Sequence, residues 1–429
     1  MTDDSEKLKS LFSIREKLLT EKWAGVNDTT PVNTSQYSFD DSDRQKTFDE
    51  GLVDPDQQAA FQQYREEWYR RAKEFDAGPM PLSVGIELVS TCNLNCPMCY
   101  TITEEFQNSV IGGQRMLPWP IVKAILDEAA ELKVPSILFS WRGESSLYRS
   151  VHEGKTYNIA DAFAYARKKG IMETSVLTNG QTLTPELSAQ LIAADASWIN
   201  ISIDGVDEVY NLVRTPKNKR GKADYDAFAV ICENIRTFVR LRNEAGKRRP
   251  KLRSNTIFPA IAKDPEGYKR KMIEIGIDWV TVNEILDFRG SGPTGEELPE
   301  EAIVKDWACQ YPFQRLMISA NGIIVPCTGA HNEEKGLVLG RYLGTPAKST
   351  RAVDGSIAIT DVKEVSLLEA WTGKKLENIR YMHKTGQRAC IRPGCRNCRH
   401  GAVKHGVTWL PEDWNLSTMN WEGHIFRNG

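Results

Sequence analysis

The stretch Val84-Gly-Ile-Glu-Leu-Val89 runs directly into Ser-Thr-Cys92-Asn-Leu-Asn-Cys96-Pro-Met-Cys99. Its first part alternates apolar residues with other residues, which predicts a β-strand. Its second part places three cysteines at the spacing Cys-x3-Cys-x2-Cys. Three close thiolates can hold three irons of a four-iron cubane and leave the fourth iron open, and an open metal position is typical of catalytic centres. The stretch therefore predicts a metal centre directly after a strand. A zinc knuckle without its fourth ligand is the alternative.

A regular alternation of strands and helices follows this stretch. The predicted strands are Val84–Val89, Ser136–Phe139, Thr174–Leu177, Trp198–Ile203, Leu252–Ile257 and Trp279–Val282. The predicted helices between them are Pro120–Leu132, Ile159–Lys169, Pro185–Ala194, Tyr225–Asn243 and Pro265–Ile275. Such units form right-handed crossovers and a parallel sheet, either open and doubly wound or closed into a partial barrel. In both folds the functional residues gather at the carboxyl ends of the strands.

The regions on either side of this alternation differ in pattern. The N-terminal region is poor in strand signals, but Gln57–Phe75 has helical apolar spacing. A Gly/Pro-rich linker is predicted at Gly290–Pro299, a hairpin around Asn321-Gly322, and a helix over Val365–His383 that Gly373 weakens. We therefore divide the chain into an N-terminal, partly helical extension, a barrel core, and a C-terminal domain with a tail rich in tryptophan: residues 1–82, 83–290 and 300–429.

Composition limits the classes of protein to which the chain can belong. Its 429 residues are 41% hydrophobic, and 55 basic against 57 acidic residues give a net charge of −2. This balance gives no reason to expect nucleic-acid or membrane-surface binding. The polar N-terminus lacks the pattern of a signal peptide, and no apolar run is long enough to span a bilayer. We therefore expect a cytoplasmic protein. Nine cysteines, an odd number, are poor evidence for disulfides.

A second group of cysteines lies in the C-terminal third. Cys309-x12-Gly322-x4-Cys327 is followed, after a gap, by Cys395-x2-Cys398. Cys390 is in excess of a set of four. A zinc site formed by Cys390, Cys395, Cys398 and His400 is the alternative interpretation. Cys232 lies on the apolar face of a predicted helix and is expected in the core.

Polar turns follow the second, third and fourth strands. They are Ser140-Trp-Arg-Gly143-Glu144-Ser145, Thr178-Asn179-Gly180 and Ser202-Ile-Asp204-Gly205, and Arg214 comes ten residues after Asp204. Each turn alone is weak evidence, because Gly and Asn are common in loops for conformational reasons. Together with the cysteine spacing, however, the chain resembles the radical S-adenosylmethionine superfamily.

The resemblance implies the fold and the first site. The fold is an α/β partial (β/α)6 TIM-like barrel with a C-terminal SPASM/twitch iron–sulfur domain and an N-terminal helical extension. In the first site Cys92, Cys96 and Cys99 would bind a [4Fe–4S] cluster. The residues implied to contact S-adenosylmethionine are Met98, Gly143, Glu144, Thr178, Asn179, Ser202, Asp204 and Arg214. Arg142 and Ser145 depart from the family's Gly-Gly-Glu-Pro-like turn, and Met98 stands where many members carry an aromatic residue.

The later cysteines resemble the twitch module, a shortened SPASM domain with one auxiliary [4Fe–4S] cluster. The resemblance implies Cys309, Cys327, Cys395 and Cys398 as the ligands. A full SPASM domain would need about seven cysteines for two clusters, and this region has five. Cys390 could replace one of the four ligands, donate a hydrogen atom, or have no role.

The resemblance also implies a reaction. An electron from a flavodoxin- or ferredoxin-type reductant would cleave S-adenosylmethionine to a 5′-deoxyadenosyl radical, which takes a hydrogen atom from the substrate. The auxiliary cluster would accept an electron from the substrate, most simply a sugar, an aminosugar or a nucleotide-linked sugar. Oxidation needs a base near the reacting carbon, and Glu284, Asp287 and Arg289 follow the sixth strand. The alternatives are maturation of a ribosomally made peptide, redox-neutral epimerisation through Cys390, and a zinc-stabilised binding protein without enzymatic activity.

Overall fold

Six parallel strands form the centre of the protein, seen in a computed structural model. The structure describes residues 32–33, 55–96, 99, 101, 106, 116–219, 225–261, 264–283, 308–331, 333, 336–346, 362–392, 394–396 and 398. The strands are β2 (Ser83–Ile86), β3 (Ser136–Leu138), β6 (Glu173–Thr178), β7 (Trp198–Ser202), β8 (Lys251–Ile257) and β9 (Trp279–Asn283). They neighbour one another in chain order, and every pair is parallel. A two-residue strand, β1 (Val32–Asn33), pairs in parallel with β9 at the edge of the sheet. This is the partial barrel that the alternation and the resemblance predict.

Helices pack around these strands. Their bounds are α1 (Pro55–Glu74), α2 (Trp119–Glu131), α3 (Ile159–Lys168), α4 (Pro185–Ala193), α5 (Asp207–Arg214), α6 (Ala227–Glu244), α7 (Phe258–Ile261) and α8 (Pro265–Ile275). Local sequence fixes several of their ends. Asn158 and Asp161 form a reciprocal capping box at the start of α3, and the Thr184 side chain caps α4. Gly276 ends α8 in the left-handed conformation.

The barrel sheet continues into the C-terminal region. There the elements are α9 (Tyr311–Gln314), β10 (Arg315–Ile318), β11 (Ile323–Val325), β12 (Gly340–Tyr342), β13 (Glu364–Val365), α10 (Leu367–Thr372) and α11 (Lys374–Lys384). Strand β10 pairs in parallel with β2 and in antiparallel with β11. The predicted hairpin at Asn321-Gly322 is thus confirmed, and Gly322 has a φ of +79°. One sheet therefore carries both the barrel and the later cysteines.

Helix α1 packs against the amino-terminal edge of the barrel. Its Phe61 and Tyr64 form a buried cluster with Leu82, Trp198 and Trp279, which lie at or just before the starts of three strands. The Tyr64 hydroxyl also donates to the Glu173 carboxylate over 3.0 Å. The helix predicted over Gln57–Phe75 is thus confirmed, and it plugs the end of the barrel opposite the cysteine loop.

Some elements differ from the sequence-based expectation. The first strand ends at Ile86 rather than Val89, because Glu87 turns to side-chain partners described below. Gly373 splits the expected helix over Val365–His383 into α10 and α11. Two features were not predicted: helix α5 and a small hairpin of β4 (Ser150–His152) and β5 (Lys155–Tyr157). The turn of this hairpin, at Glu153-Gly154, has positive φ.

Two predictions remain to be compared with the structure: that no segment spans a membrane, and that the chain divides into three domains. No helix in the described part of the chain combines the length and the hydrophobicity that crossing a membrane requires. The predicted linker at Gly290–Pro299 lies outside the described residues, and so does the tryptophan-rich tail. The three domain boundaries therefore stay predictions.

The packing of α1 against the amino-terminal edge of the barrel gives a prediction about stability. Trp198→Ala should lower the free energy of unfolding by about 3–5 kcal/mol, because a large side chain that is 1% exposed leaves a cavity between α1 and the strands. Urea denaturation of oxygen-free protein measures the loss. Tyr381→Ala is the control, because its ring is 57% exposed on α11. An equal loss of unfolding free energy in both variants would contradict the role of this packing in stability.

Candidate active site

The first three cysteines share one loop at the carboxyl end of β2. Cys96 is buried, while Cys92 and Cys99 are half-buried. The amide of Cys99 donates to the carbonyl of Cys96 over 3.0 Å, and the amide of Leu94 donates to the Cys92 sulfur over 3.4 Å. The Cys99 sulfur lies 2.9 Å from the Thr101 hydroxyl. The loop thus turns tightly and directs polar hydrogens toward its sulfurs.

The chemistry of this loop fits an iron–sulfur cluster. Burial, followed by the charges of Cys96 and Glu144, raises the pKa of the Cys92 thiol to about 12. A group of buried thiols that oppose one another's ionisation needs a cation to become thiolates. Soft thiolates are the ligands that iron–sulfur clusters use. The residues present therefore fit the cluster that the spacing predicts.

Gly143 lies against the backbone just before the cysteine loop. A Cβ atom at this position would come within 2.5 Å of the Val89 carbonyl oxygen and 2.8 Å of the Thr91 carbonyl oxygen. Its φ of +69° is also in the region that favours glycine. The next amide, of Glu144, donates to the Thr91 carbonyl over 2.8 Å. The turn after β3 and the cysteine loop are therefore in direct backbone contact.

Glu144 joins the turns after β3 and β6. Its buried carboxylate accepts hydrogen bonds from the Thr178 hydroxyl over 2.6 Å and from the Asn179 amide over 2.7 Å. It also accepts from the amide and hydroxyl of Ser146. Three of these four bonds reach Oε1, and only one reaches Oε2. Oε2 can therefore accept a further hydrogen bond. Contact between Glu144 and the ammonium group of S-adenosylmethionine stays a prediction.

Asn179 reaches the cysteine loop from the third turn. Its side-chain amide donates to the Asn93 side chain over 2.7 Å and lies 4.0 Å from the Cys92 sulfur. The predicted residues Gly143, Glu144, Thr178 and Asn179 are thus assembled around one loop.

Arg214 is also brought to this loop. It is half-buried and forms an ion pair with the buried Asp204, whose other oxygen accepts from the amide of Ile257. Burial opposes the charge on Arg214, but Asp204 and then Cys96 raise the pKa of the guanidinium above its ordinary value. Just beyond it, Pro216 pairs with Leu94 of the loop. Ser202, at the end of β7, is buried in the barrel wall.

Arg142 is the centre of a buried ionic network. Its guanidinium donates to both oxygens of Glu87, over 2.8 and 2.6 Å, and to Glu333 over 2.9 Å. It also donates to the His331 carbonyl. Glu87 in turn accepts from the amide of Ala320 over 2.8 Å. The residue that departs from the family's Gly-Gly-Glu-Pro-like turn therefore links the barrel to the C-terminal region.

Trp141 makes a second link at the same place. Its ring stacks on the Arg142 guanidinium at 4.1 Å, and its indole N–H donates to the Thr328 carbonyl over 2.9 Å. Thr328 follows Cys327 directly. The turn that borders the first cysteine loop thus also borders a loop of the second cysteine group.

The four later cysteines line one cavity. Cys309 precedes α9, Cys327 follows β11, and Cys395 and Cys398 come from the loop after α11; other lining residues include Tyr311, His383 and Arg388. Burial, followed by the charge of Cys398, raises the pKa of Cys309 to about 12. Burial, followed by Cys327 and Cys398, raises the pKa of Cys395 well above its ordinary value. These thiols also need a cation to ionise, so the donor set fits an auxiliary cluster.

Cys390 is separated from this set. It is exposed, ends a short 3-10 turn over Arg388–Cys390, and is not among the residues that line the cavity. Its possible role as a hydrogen-atom donor stays a prediction. His400, of the alternative zinc site, lies outside the described residues. Among the described residues, no three potential ligands converge closely enough to hold a single metal ion. Ligands of a cubane bind separate irons and need not converge in that way.

His383 is a residue of this cavity that the sequence did not predict. This residue is buried in the last turn of α11 and contacts both Cys309 and Cys395. Burial lowers its pKa to about 4. It lies 12 residues before Cys395, so a search for local ligand spacing does not reach it. Its place at helical spacing after the buried Leu376 and Ile379 was the available signal.

Four predicted residues cannot be placed. Met98, Glu284, Asp287 and Arg289 lie outside the described residues. Their roles, as a cofactor contact and as acid–base candidates, stay predictions. Cys232 is buried on α6, as expected for a core residue.

Family models match two parts of the chain. The model of the radical SAM superfamily matches residues 86–241, and the SPASM model, an iron–sulfur cluster-binding domain, matches residues 309–399. The first range contains the open cysteine loop with its three neighbouring turns. The second range contains the four-cysteine cavity.

Relatives match the chain to different extents. A tungsten-containing aldehyde ferredoxin oxidoreductase cofactor-modifying protein of Pyrococcus furiosus is 22% identical over 73% of this chain and 86% of its own length. The mycofactocin maturase MftC of Mycolicibacterium smegmatis is 28% identical over 39% of this chain and 37% of its own length. The solved structure of BtrN with AdoMet and 2-DOIA covers 76% of this chain and 95% of its own, with 14% identity and a TM-score of 0.43.

The close approach of Gly143 gives one prediction. Gly143→Ala should lower the rate of S-adenosylmethionine cleavage by roughly a hundredfold, the cost of about a 1 Å misplacement, because the Cβ displaces the cysteine loop. Release of 5′-deoxyadenosine measures the rate. Gly154→Ala is the matched control, with a φ of +75° and no atom within 4 Å of the added Cβ. A normal rate in Gly143→Ala would show that the contact is not needed.

The ionic network around Arg142 gives a second prediction, which concerns stability. Arg142→Met should cost about 3–5 kcal/mol of stability, because Glu87 stays buried without its charged partner. Replacing both residues, as Glu87→Gln with Arg142→Met, should recover part of this loss. Urea denaturation measures both. Arg236→Met removes an exposed ion pair with Glu274 and should change stability little. A single variant as stable as the double variant would contradict the network's role.

Proposed function

We propose that this chain, which carries a radical SAM domain and a SPASM domain, oxidises a polar small molecule of the sugar or aminosugar type. The supporting observation is that three cysteines share one loop at the carboxyl end of β2, while four other cysteines line a separate cavity. Three thiolates leave an iron available to a ligand, and four thiolates close a cluster. The first arrangement suits catalysis, and the second suits electron transfer.

The cofactors have defined places in this proposal. Cys92, Cys96 and Cys99 would hold the first cluster, and Cys309, Cys327, Cys395 and Cys398 the auxiliary one. When bound, S-adenosylmethionine and the two clusters supply a 5′-deoxyadenosyl radical that removes a substrate hydrogen atom, and an acceptor for the electron that the oxidation releases.

The chain's own residues would orient S-adenosylmethionine. Gly143 allows the turn after β3 to meet the cysteine loop, and Glu144 and Asn179 hold the next turn against it. Arg214 is near enough to Cys96 for their charges to interact, and Asp204 stabilises its positive charge, so it would attract a carboxylate near the cluster. Fixed polar groups of this kind orient a charged ligand without reorganising at the moment of reaction.

The inner wall of the barrel supports a polar substrate. Ile199 and Ile201 of β7 face the helices, so Asn200 faces inward. Asn255 and Thr281 are direct neighbours on β8 and β9. The side-chain Oδ1 of Asn200, Nδ2 of Asn255 and Oγ1 of Thr281 are buried and have no hydrogen-bond partner among the described residues. Hydroxyl, amine or amide groups of a substrate would satisfy them.

Oxidation of an alcohol also needs a proton acceptor and a source of electrons. Of the two hydrogens that the substrate loses, one leaves as an atom and the other as a proton. The carboxylates of Glu284 and Asp287 are the candidate acceptors of that proton, and Arg289 follows them in the sequence. A flavodoxin- or ferredoxin-type protein would supply the electron that starts each turnover.

Modification of a peptide or of a cofactor precursor is the second candidate. The Pyrococcus furiosus relative, matched over 86% of its length, is named a cofactor-modifying protein, and the Mycolicibacterium smegmatis relative is named a maturase. The orphaned amide and hydroxyl groups of the inner wall would also accept a peptide backbone.

Loss of the open cluster tests the chemistry. Cys96→Ala should abolish release of 5′-deoxyadenosine from S-adenosylmethionine and dithionite, because it removes one of three iron ligands. Cys232→Ala, which removes a buried cysteine on α6, is the matched control and should retain activity. Iron should be about eight per chain in both the wild type and the control. Activity in Cys96→Ala would contradict the assignment.

Isotope transfer tests the substrate class. Wild-type protein is incubated without oxygen with perdeuterated sugars and aminosugars, free or nucleotide-linked, and in parallel with deuterated peptides. Deuterium should appear in 5′-deoxyadenosine only with the carbohydrate series, because the radical takes the substrate hydrogen directly. Transfer from peptides alone would instead establish the second candidate.

A further inference from the structure

Both ring nitrogens of His383 face the four-cysteine cavity. The backbone amide of Cys309 lies 3.2 Å from Nδ1, and the sulfur of Cys395 lies 3.6 Å from Nε2. The side chain is 2% exposed. The ring therefore bridges the first and third cysteines of the set, which come from segments more than 80 residues apart.

The contact with Cys309 fixes the proton on the ring. A backbone amide can only donate, so Nδ1 must be the acceptor in this hydrogen bond. In a neutral imidazole the proton then lies on Nε2, the nitrogen that faces the Cys395 sulfur. The geometry thus defines an N–H···S hydrogen bond in which Nε2 of His383 donates and the Cys395 sulfur accepts.

Arg388 restrains Cys395, whose sulfur accepts the hydrogen bond from His383. Its guanidinium is 1% exposed and donates to the carbonyl oxygen of Cys395. The loop that carries Cys395 is thereby held against the 3-10 turn over Arg388–Cys390, which follows α11, the helix that carries His383. This hydrogen bond restrains the Cys395 loop near the His383 ring, whose Nε2 faces the Cys395 sulfur.

We propose that His383 is a positioning residue that raises the reduction potential of the auxiliary cluster through its hydrogen bond to the Cys395 sulfur. This inference rests on the proposed function, in which the four cysteines bind that cluster. Hydrogen bonds to cluster sulfurs are among the factors that set cluster potentials. Reduction adds negative charge to the cluster, and an N–H donor stabilises the more negative state. The hydrogen bond therefore makes the cluster a better acceptor for an electron from the substrate.

Two substitutions separate the two functions of the ring. In His383→Asn the Asn oxygen can occupy the place of Nδ1 and accept from Cys309, but no donor reaches Cys395. In His383→Gln the Gln amide can occupy the place of Nε2 and donate to Cys395. His152→Asn is the control, because His152 lies in the β4–β5 hairpin, outside the cysteine cavity.

The measurement is a redox titration of full-length holoprotein with dithionite, followed by electron paramagnetic resonance. Added S-adenosylmethionine changes only the signal of the first cluster and so separates the two. The auxiliary potential should shift to a more negative value in His383→Asn, return toward the wild-type value in His383→Gln, and stay unchanged in His152→Asn. An unchanged potential in His383→Asn, or equal shifts in the Asn and Gln variants, would overturn the proposal.

Nitrogen hyperfine coupling in the wild type gives a measurement that does not depend on any variant. A weak coupling to the auxiliary cluster is expected for a hydrogen-bonded ring, whereas a strong coupling would show that His383 binds iron directly and would overturn the proposal. The proposed function fails in a different way. A wild-type protein with about four irons instead of about eight would lack the auxiliary cluster altogether.

Discussion

The carboxylate of Glu87 lies where three parts of the chain meet. It follows β2 directly, accepts two charge-assisted bonds from Arg142 after β3, and accepts the amide of Ala320 from the hairpin after β10. Two buried charges are costly to desolvate, so this pair persists only because its geometry is good and its remaining lone pairs are occupied. The arrangement fixes the turn at Gly143, and therefore the cysteine loop, relative to the C-terminal region. Removing either charge would leave the other buried without its counter-ion.

The same network explains why the chain departs from the family's usual turn. A glycine at position 142 would allow the same backbone path but would leave Glu87 without a cation. Arg142 instead reaches Glu333 and the carbonyl of His331, both in the segment between β11 and β12. The substitution thus adds a contact to the second site, while Gly143 and Glu144 keep the contacts with the cysteine loop.

The regular elements and the cysteine loop after β2 are predictable because their signals are local. Apolar periodicity located the six barrel strands, and Asn321-Gly322 located the hairpin of β10 and β11. The contacts of Arg142 and His383 could not be predicted from the sequence. Arg142 contacts Glu87 and Glu333, which are about 55 and 190 residues away, and His383 contacts Cys309, which is 74 residues away. No short spacing encodes such contacts. The three-dimensional packing of β10 beside β2 creates them.

The pairing of β10 with β2 also determines how the two cysteine sites relate. Four successive residues of β10 are in register with Ser83–Ile86, and the chain continues from these strands to Cys327 and to Cys92, respectively. A backbone ladder is stiffer than a linker, so the separation between the sites is set by the sheet itself. Trp141 and Arg142 reinforce it from the side. On the function proposed above, an auxiliary cluster held in this way would need no domain closure to reach its working position, and its potential would be the property that residues such as His383 adjust.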